Sequence, residues 1–255
     1  MSAIEAVGSG ILRMLEGLGQ TLFMLGRGLG WSRQAWRYRA LIVEQMLFCG
    51  VESLPVVAVV AFFAGMITSL QTGTALADFQ LEESIGTIVA VSVCREMGPV
   101  FAAIIVAARV GSALAAQLGT MKVSEEIDAL EAMSIDPVKY LVMPRLVGLI
   151  LMMPILAMFS DVIGISGGAI VGRLQIGVPY STFFDRAVKS LVMKDILVGI
   201  LKTTVFGIII GSVACQQGLT TQAGALGVGR STTRTVVVSL MFVLMFNYFI
   251  SALFY

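Results

Sequence analysis

Histidine is absent from this sequence, and cysteine occurs only three times. The first absence removes the commonest general base and the commonest metal ligand in proteins. Cys49, Cys94 and Cys215 lie far apart in apolar surroundings, which predicts small buried side chains without a disulfide framework or a metal site. No nucleophile–base pair is apparent, so we expect a protein that is not an enzyme and that binds no cofactor of its own.

Charged residues are also scarce, at 13% of the chain against 57% apolar residues. A soluble domain has about 25% charged residues, so lipid must cover part of this protein's surface. The net charge of +1 gives no reason to expect nucleic acid as a partner. No G-x-x-x-x-G-K-[ST] motif occurs, and any ATP must therefore bind to another chain.

Long apolar runs give the main structural signal. Residues 53–77 contain no charge and exceed the roughly 20 residues that span a bilayer. The further predicted spans are 84–108, running on through Ala115, then 146–171 with a kink at Pro154, 196–216 and 235–255. The Gly- and Thr-rich stretch 217–234 predicts a loop. The sequence thus predicts an all-α, polytopic membrane protein whose five transmembrane helices form a domain over 53–255.

Residues 1–52 form a separate, N-terminal region in this prediction. Apolar residues recur at steps of three or four over 4–29, which is typical of an amphipathic helix on a membrane surface. A helix of a soluble bundle is the alternative. Trp31, Trp36 and Tyr38 alternate with arginines, as expected for the headgroup layer. We therefore predict an interfacial helix before the first span.

Lysines and arginines predict the orientation of the spans. Basic residues are concentrated before the first span and in the second and fourth connections, which places the N-terminus in the cytoplasm and the C-terminus on the opposite side. The segment 172–202 breaks this rule, because it carries Arg173, Arg186, Lys189, Lys194 and Lys202. We interpret it as an amphipathic re-entrant or surface segment.

Small residues recur at every fourth position in three of the spans: Ala107, Gly111, Ala115 and Gly119, then Gly164, Gly168 and Gly172, then Gly207 and Gly211. Such stripes allow membrane helices to approach closely. They predict packing between helices of one chain, and an interface between subunits is the alternative.

Arg95 and Glu96 are adjacent charges near the middle of the second span. A charge at this depth costs several kcal/mol, so it has to face protein or a water-filled cavity. Neighbouring residues of a helix point about 100° apart, which predicts a separate partner for each charge or contact with a polar ligand. A ligand site and a buried ionic lock between helices both remain open. Pro99 loosens the helix close to this point.

The polar connection 124–137 contains a short helix pattern. Ser124 is a suitable N-cap, and Asp136-Pro137 predicts the end of the helix. An apolar edge of Ile127, Leu130 and Met133 is flanked by the acidic residues Glu125, Glu126, Asp128 and Glu131. This pattern predicts a helix that docks into a groove on another protein. A connector lying against the headgroups is the alternative.

These motifs, in this order, resemble the MlaE permease family from about residue 40 to the C-terminus. The residues that carry the resemblance are Arg95-Glu-Met-Gly-Pro-Val100, Ala108-Arg-Val-Gly-Ser-Ala113, Leu118-Gly-Thr-Met-Lys-Val-Ser-Glu-Glu-Ile-Asp-Ala-Leu-Glu-Ala-Met133, Asp136-Pro137, Met143-Pro-Arg145 and Arg230-Ser-Thr-Thr-Arg-Thr-Val-Val237.

The resemblance implies the permease subunit of an ATP-driven ABC transporter. Such a permease is a homodimer in the inner membrane and pairs with two copies of a cytoplasmic ABC ATPase. It passes phospholipid or a related lipid to or from a periplasmic lipid-binding protein of the MCE type, which supports outer-membrane lipid asymmetry. In an inner membrane, the orientation predicted above from the basic residues makes the C-terminus periplasmic.

Residue roles follow from the resemblance in the same way. The implied lipid-binding residues are Thr68, Leu70, Ala75, Phe79, Arg95 and Glu96. The implied cytoplasmic coupling helix, which contacts the ATPase, includes Glu125, Glu126, Ile127, Asp128, Leu130, Glu131 and Met133. The side chains at Ala75 and Phe79 leave the lipid preference open.

Two other classes of function fit the sequence. A self-contained ion-coupled carrier or channel would use the midspan Arg95 and Glu96 as a proton or ion site and would need no ATPase. A scaffold that anchors other proteins would bind no lipid in a cavity.

Overall fold

The structure, a computed structural model, describes residues 19, 24–27, 30, 36–77 and 79–255. Within these residues the chain forms helices joined by turns, without a β-strand. The helices are α1 (Trp36–Ala77), α2 (Glu82–Val123), α3 (Glu126–Ala132), α4 (Val138–Ile176), α5 (Tyr180–Ser190), α6 (Met193–Leu219) and α7 (Gly224–Phe254). Five of them, α1, α2, α4, α6 and α7, are long and apolar enough to cross a membrane. The predicted fold class is confirmed.

The turns between these five helices alternate between the two ends of the bundle. The α1–α2 turn and α5 lie at one end, and α3 and the α6–α7 turn lie at the other. These ends are called the α5 side and the α3 side below.

Helix α1 consists of two parts. A turn at Glu52–Ser53 separates the helical segments Arg39–Met46 and Leu47–Val51 from the apolar segment Leu54–Ala77. The second part corresponds to the predicted first span. The division of the chain into 1–52 and 53–255 stays a prediction.

Short π-helical stretches interrupt the long helices. They cover Leu47–Val51, Val93–Met97, Ala107–Gly111, Val138–Val142 and Gly172–Ile176. A π-helical turn is wider than an α-helical one and is frequent at functional sites. Helix α4 continues through Pro154 without an interruption.

The predicted loop 217–234 is wrong for most of its length, because α7 already begins at Gly224. Gly and Thr are poor helix formers, which favours a loop when the sequence is considered alone. In the bundle these small residues let α7 pack closely. Gly227, Ser231 and Thr235 form a buried stripe, and Thr221 donates a hydrogen bond of 2.8 Å to Ser231 Oγ. Tertiary packing thus outweighs helix propensity here.

The small-residue stripes pack helices of this chain against each other, as predicted. A Cβ atom at Gly65 would lie 1.8 Å from the carbonyl oxygen of Gly164, so the backbones of α1 and α4 are in contact. A Cβ atom at Gly207 would lie 3.0 Å from the carbonyl oxygen of Leu149, so α6 packs closely on α4 at this glycine. Gly111 faces Ile210. Close packing of this kind requires residues without a side chain.

Most of the predicted N-terminal amphipathic helix lies outside the described residues. Its described part, 24–27, is helical, and Met24 is buried in a cluster with Leu118 and Ile127 near α3. Arg27 forms an ion pair of 2.7 Å with Asp136. This part of the N-terminal region therefore contacts the α3 side of the bundle.

Candidate functional site

A polar cluster inside the bundle begins with a backbone group that proline leaves unpaired. Pro99 has no N–H, so the carbonyl of Arg95 lacks the partner that an α-helix would supply four residues later. The π-helical stretch Val93–Met97 lies at this point. Lys202 of α6 replaces the missing donor, with Nζ 2.7 Å from the carbonyl oxygen of Arg95.

Lys202 also pairs with Glu96. Its Nζ donates to Glu96 Oε1 at 2.9 Å and to Ser251 Oγ at 2.7 Å, so all three ammonium protons have acceptors. Ser251 Oγ donates to Glu96 Oε1, and Asn247 Nδ2 donates to Glu96 Oε2, each at 2.7 Å. The side chain of Lys202 is 0% exposed, so its charge does not face lipid. Because the ammonium group is also paired and fully hydrogen-bonded, a lysine is tolerated in this membrane-spanning helix. Helices α2, α6 and α7 are joined here.

Arg95 has a separate partner. Its Nε donates to Asp195 Oδ1 at 2.8 Å, and Tyr255 donates to the same oxygen at 2.8 Å. The Arg95 guanidinium lies 4.3 Å from the centre of the Tyr255 ring. Asp195 Oδ2 accepts the backbone N–H of Val192 at 3.3 Å and thereby caps the start of α6.

The two adjacent charges thus have different partners, as predicted. Both form ion pairs between helices, which are the contacts expected of an ionic lock. Both also remain accessible, with 35% of the Arg95 side chain and 44% of the Glu96 side chain exposed. The terminal nitrogens of Arg95 form no hydrogen bond to a described residue, so the guanidinium retains donors for an anionic ligand.

The sequence pattern did not reveal the partners of this cluster, which are Asp195, Lys202, Asn247, Ser251 and Tyr255. One signal was available. Lys202 is a charge in an apolar run, and Pro99 leaves the carbonyl of the residue four positions earlier unpaired. These two features together indicate a donor for that carbonyl.

Asp161 of α4 is a further acidic side chain within the bundle. Its Oδ1 is buried and has no hydrogen-bond partner among the described residues, and the same holds for the buried hydroxyl of the neighbouring Ser160. A Cβ atom at Gly98 would lie 1.7 Å from Asp161 Oδ1, so the carboxyl group occupies space that only a glycine on α2 leaves open.

Arg109 joins α2 to the turn in α1. Its terminal nitrogens donate to the Phe48 carbonyl at 3.2 Å, to Ser53 Oγ at 2.9 Å and to Glu52 Oε2 at 2.7 Å. These contacts hold the turn that separates the two parts of α1 against the π-helical stretch Ala107–Gly111.

The predicted lipid-binding residues of α1 occupy different environments. Thr68 is buried and donates to the Ala64 carbonyl at 2.8 Å and to Met97 Sδ at 3.2 Å, so it packs between α1 and α2. Leu70, Ala75 and Phe79 are exposed.

The structure therefore does not bring the two groups of predicted lipid-binding residues together within one chain. Thr68 contacts the side of α2 that faces α1, whereas Arg95 and Glu96 reach α6 and α7. The role of all six residues in lipid binding stays a prediction.

Large exposed apolar side chains are most numerous on the first and last spanning helices. Large exposed side chains of α1 include Val56, Val59, Phe63 and Ile67, and those of α7 include Val237, Met241, Leu244, Tyr248 and Phe249. Glu96 binds Asn247 on α7, so the polar cluster lies next to one of these apolar faces. A polar group beside a wide apolar surface suits an amphiphilic ligand.

The predicted coupling helix forms as α3, with a different start and a different buried side. The prediction that Ser124 caps it is wrong, because its hydroxyl donates to the Thr120 carbonyl and to Glu126 Oε1, both at 2.9 Å. Glu125 is the N-cap residue instead, with φ of 59°. The helix ends at Ala132 rather than at Asp136-Pro137, and Asp136 Oδ1 accepts the N–H of Val138 at the start of α4.

The apolar edge of α3 points mostly toward its own chain. Ile127 is buried and Leu130 is half-buried in the cluster that includes Leu118 and Leu141, whereas Met133 is 63% exposed. The acidic residues Glu125, Glu126, Asp128 and Glu131 are exposed, and Lys122 pairs with Asp128 at 2.6 Å. The surface that α3 offers a partner is thus acidic and has one large apolar side chain.

Metal binding and disulfide formation find no support in the part of the chain that the structure describes. No cluster of acidic or cysteine side chains there could hold a metal ion. Cys49, Cys94 and Cys215 are buried, as predicted, and their thiols are free in the structure.

Comparison with known proteins agrees with the motifs. The sequence profile of the family described as Permease MlaE matches residues 42–253. A probable ABC transporter permease protein of Rickettsia typhi is 45% identical over 85% of this chain and 83% of its own length. The intermembrane phospholipid transport system permease protein MlaE of Haemophilus influenzae is 35% identical over 98% of this chain and 96% of its own. The chain therefore belongs to the MlaE permease family.

Proposed function

We propose that this chain is the permease subunit of an ATP-driven transporter that moves phospholipid between the inner membrane and a periplasmic MCE-type lipid carrier, and that it supports outer-membrane lipid asymmetry. In this proposal two copies of the chain form the membrane part, and a separate ABC ATPase supplies the energy. The α3 side lies in the cytoplasm and the α5 side in the periplasm.

The observation that carries the proposal is the match to the MlaE family over residues 42–253, together with near full-length similarity to a phospholipid transport permease. The structure adds a suitable surface. The polar cluster around Arg95 and Glu96 adjoins α7, whose exposed apolar face suits acyl chains.

Arg95 is the residue that we assign to the lipid headgroup. Its Nε is held by Asp195, and the guanidinium stacks on Tyr255, so the group is oriented before any ligand binds. The terminal nitrogens remain available for a phosphate, for which a guanidinium is well suited. Glu96 acts differently in the proposal, since Lys202, Ser251 and Asn247 hold it. It fixes α7 to α2 and positions the wall of the site.

The proposed cycle uses α3 to transmit movement. Closure of the ATPase dimer on ATP binding displaces α3, which the Lys122–Asp128 ion pair ties to α2 and which packs on Leu141 of α4. The buried Ile127 makes α3 a rigid part of the α3 side, so displacement of α3 moves the ends of both helices. The space between the two permease copies narrows, and lipid leaves toward the carrier.

Met133 gives a test of ATPase docking. Met133 directly follows α3 and its side chain is exposed, so a partner can cover it without any change in the core of the permease. Met133→Asp is expected to lower the amount of ABC ATPase that copurifies about tenfold or more, since burial of a methionine contributes roughly 1.5–3 kcal/mol. Quantitative copurification of the coexpressed complex measures this effect.

The conservative variant Met133→Leu is the matched control and should retain the ATPase. Leu130→Asp is less suitable, because Leu130 packs in the buried cluster of its own chain. Full retention of the ATPase by Met133→Asp would contradict docking through α3. A protein that never copurifies with an ATPase, and transports along an ion gradient, would be the self-contained carrier or channel instead.

A further inference from the structure

Apart from Asp195 and Lys202, which hold Arg95 and Glu96, the basic segment 172–202 has no role in the function proposed above. Its charges have different environments in the structure. Lys202 is buried beside Glu96, Arg186 pairs with Glu83 at 3.4 Å, and Lys189 pairs with Asp185 at 2.7 Å. These three cations are therefore neutralised within the chain.

Arg173 and Lys194 are the two remaining cations of this segment. Both are exposed, and neither forms an ion pair within the described part of the chain; Lys194 Nζ lies 5.3 Å from the centre of the Tyr255 ring. Arg173 lies in the last turns of α4 and Lys194 in the first turn of α6, so they flank α5 in sequence on the α5 side. Glu82, at the start of α2 on the same side of the bundle, is a carboxylate that forms no ion pair with a described residue.

Helix α5 has two apolar stripes, of which one is buried and one is exposed. Phe183 and Ala187 are buried, and the Phe183 backbone packs so closely on α2 that a Cβ atom at Gly86 would lie 2.2 Å from its carbonyl oxygen. Tyr180, Phe184 and Val188 follow each other at every fourth position and form a second apolar stripe. This stripe is exposed, and Val188 is 71% accessible.

The exposed stripe continues into surface that has to face lipid. Val192, Met193 and Leu197 are large, exposed and apolar, and they lead from the end of α5 into the membrane-spanning α6. A helix with an apolar stripe level with the start of a span, a tyrosine at one end and charges on its other side has the pattern of an interfacial helix.

We propose that α5 lies in the headgroup layer of the leaflet on the α5 side, with Tyr180, Phe184 and Val188 inserted among the lipids, and that Arg173 and Lys194 bind the phosphate groups of anionic phospholipid. In this proposal the cations with an ion pair and the cations without one differ in function. Arg186 and Lys189 stabilise the helix, whereas Arg173 and Lys194 collect anionic lipid around the protein. This inference concerns the surrounding lipid and does not depend on the transport cycle.

Spin-label accessibility tests the position of α5. The three native cysteines are buried, so Val188→Cys and Lys189→Cys in the full-length protein each add one accessible thiol for a nitroxide label. In phospholipid vesicles the label at 188 should collide more with oxygen than with a water-soluble nickel chelate, and the label at 189 should show the opposite. Nickel accessibility at both positions would overturn the insertion, and immobilised labels shielded from both reagents would show a protein partner instead.

Lipid selectivity tests the role of the unpaired cations. The variant Arg173→Gln/Lys194→Gln and the control Arg186→Gln/Lys189→Gln each remove two positive charges. Association of spin-labelled phosphatidylglycerol, relative to phosphatidylcholine, is measured in reconstituted vesicles. A basic residue at a membrane surface contributes about 1 kcal/mol, or roughly fivefold, so the first variant should lose fivefold or more of the preference. The control should lose less than about twofold. Equal losses, or none, would overturn the assignment.

Discussion

Replacement of Lys202 by methionine is expected to destabilise the folded protein by about 3 kcal/mol. The change removes the donor to the Arg95 carbonyl and leaves Glu96 without its cation. Breaking a buried ion pair on one side costs about 3–5 kcal/mol, and the low end applies because 44% of the Glu96 side chain is exposed. The unfolding midpoint of the purified protein in detergent measures the effect.

Lys194→Met is the matched control for this prediction. Lys194 lies in the same helix, is exposed and forms no ion pair with a described residue. Its Nζ lies 5.3 Å from the centre of the Tyr255 ring, so its replacement should change stability by about 1 kcal/mol at most. The double variant Glu96→Gln/Lys202→Met should be less destabilised than the sum of the two single variants, by about 1–2 kcal/mol, because the two side chains are in contact. If Lys202→Met behaved like Lys194→Met, the cluster would not join α2 to α6.

Addition of a single methyl group at Gly65 is expected to have an effect of similar size. A Cβ atom there would lie 1.8 Å from the carbonyl oxygen of Gly164, which is backbone and cannot rotate away. Helices α1 and α4 must separate to accommodate it. Gly65→Ala should therefore destabilise by about 3 kcal/mol, the upper end for overpacked cores.

Gly229→Ala provides the comparison for Gly65→Ala. It adds the same methyl group to α7 at a position where, apart from the backbone of α7 itself, no atom of a described residue lies within 4 Å. Alanine is the better helix former by about 1 kcal/mol, so this variant should be as stable as the unaltered protein or more stable. Unfolding of both variants under the same conditions gives the test. Shifts of equal sign and size would show that the α1–α4 contact is not as close as described.

The parts of the fold that follow from composition could be predicted from the sequence. Apolar runs longer than the bilayer gave the number and order of the spans, because hydrophobic length determines what crosses a membrane. The start of α7 could not be predicted. Gly227, Ser231 and Thr235 are poor helix formers by themselves, and only their packing in the bundle makes that segment helical.

The candidate site could be predicted in part, because composition identifies its charges but not their partners. Arg95 and Glu96 stand out because a charge in an apolar run is rare, yet their partners on α6 and α7 depend on which helices are neighbours. Ile127 shows the same limit. Its position on an apolar edge suggested a surface for a partner protein, but that edge packs on the protein's own core. Periodicity shows which side of a helix is apolar, and the tertiary fold decides what covers it.

ATP-dependent transfer of phospholipid in a reconstituted system tests the central proposal most directly. Fluorescent phospholipid is followed between vesicles that contain the permease with its ATPase and a soluble acceptor carrier. Transfer should require both ATP and the ATPase. It should fall at least tenfold in Arg95→Gln/Asp195→Asn, which removes the headgroup cation without leaving Asp195 unpaired, while the ATPase stays bound. Transfer that proceeds equally without ATP, or ATP hydrolysis that moves no lipid in the unaltered complex, would contradict the account.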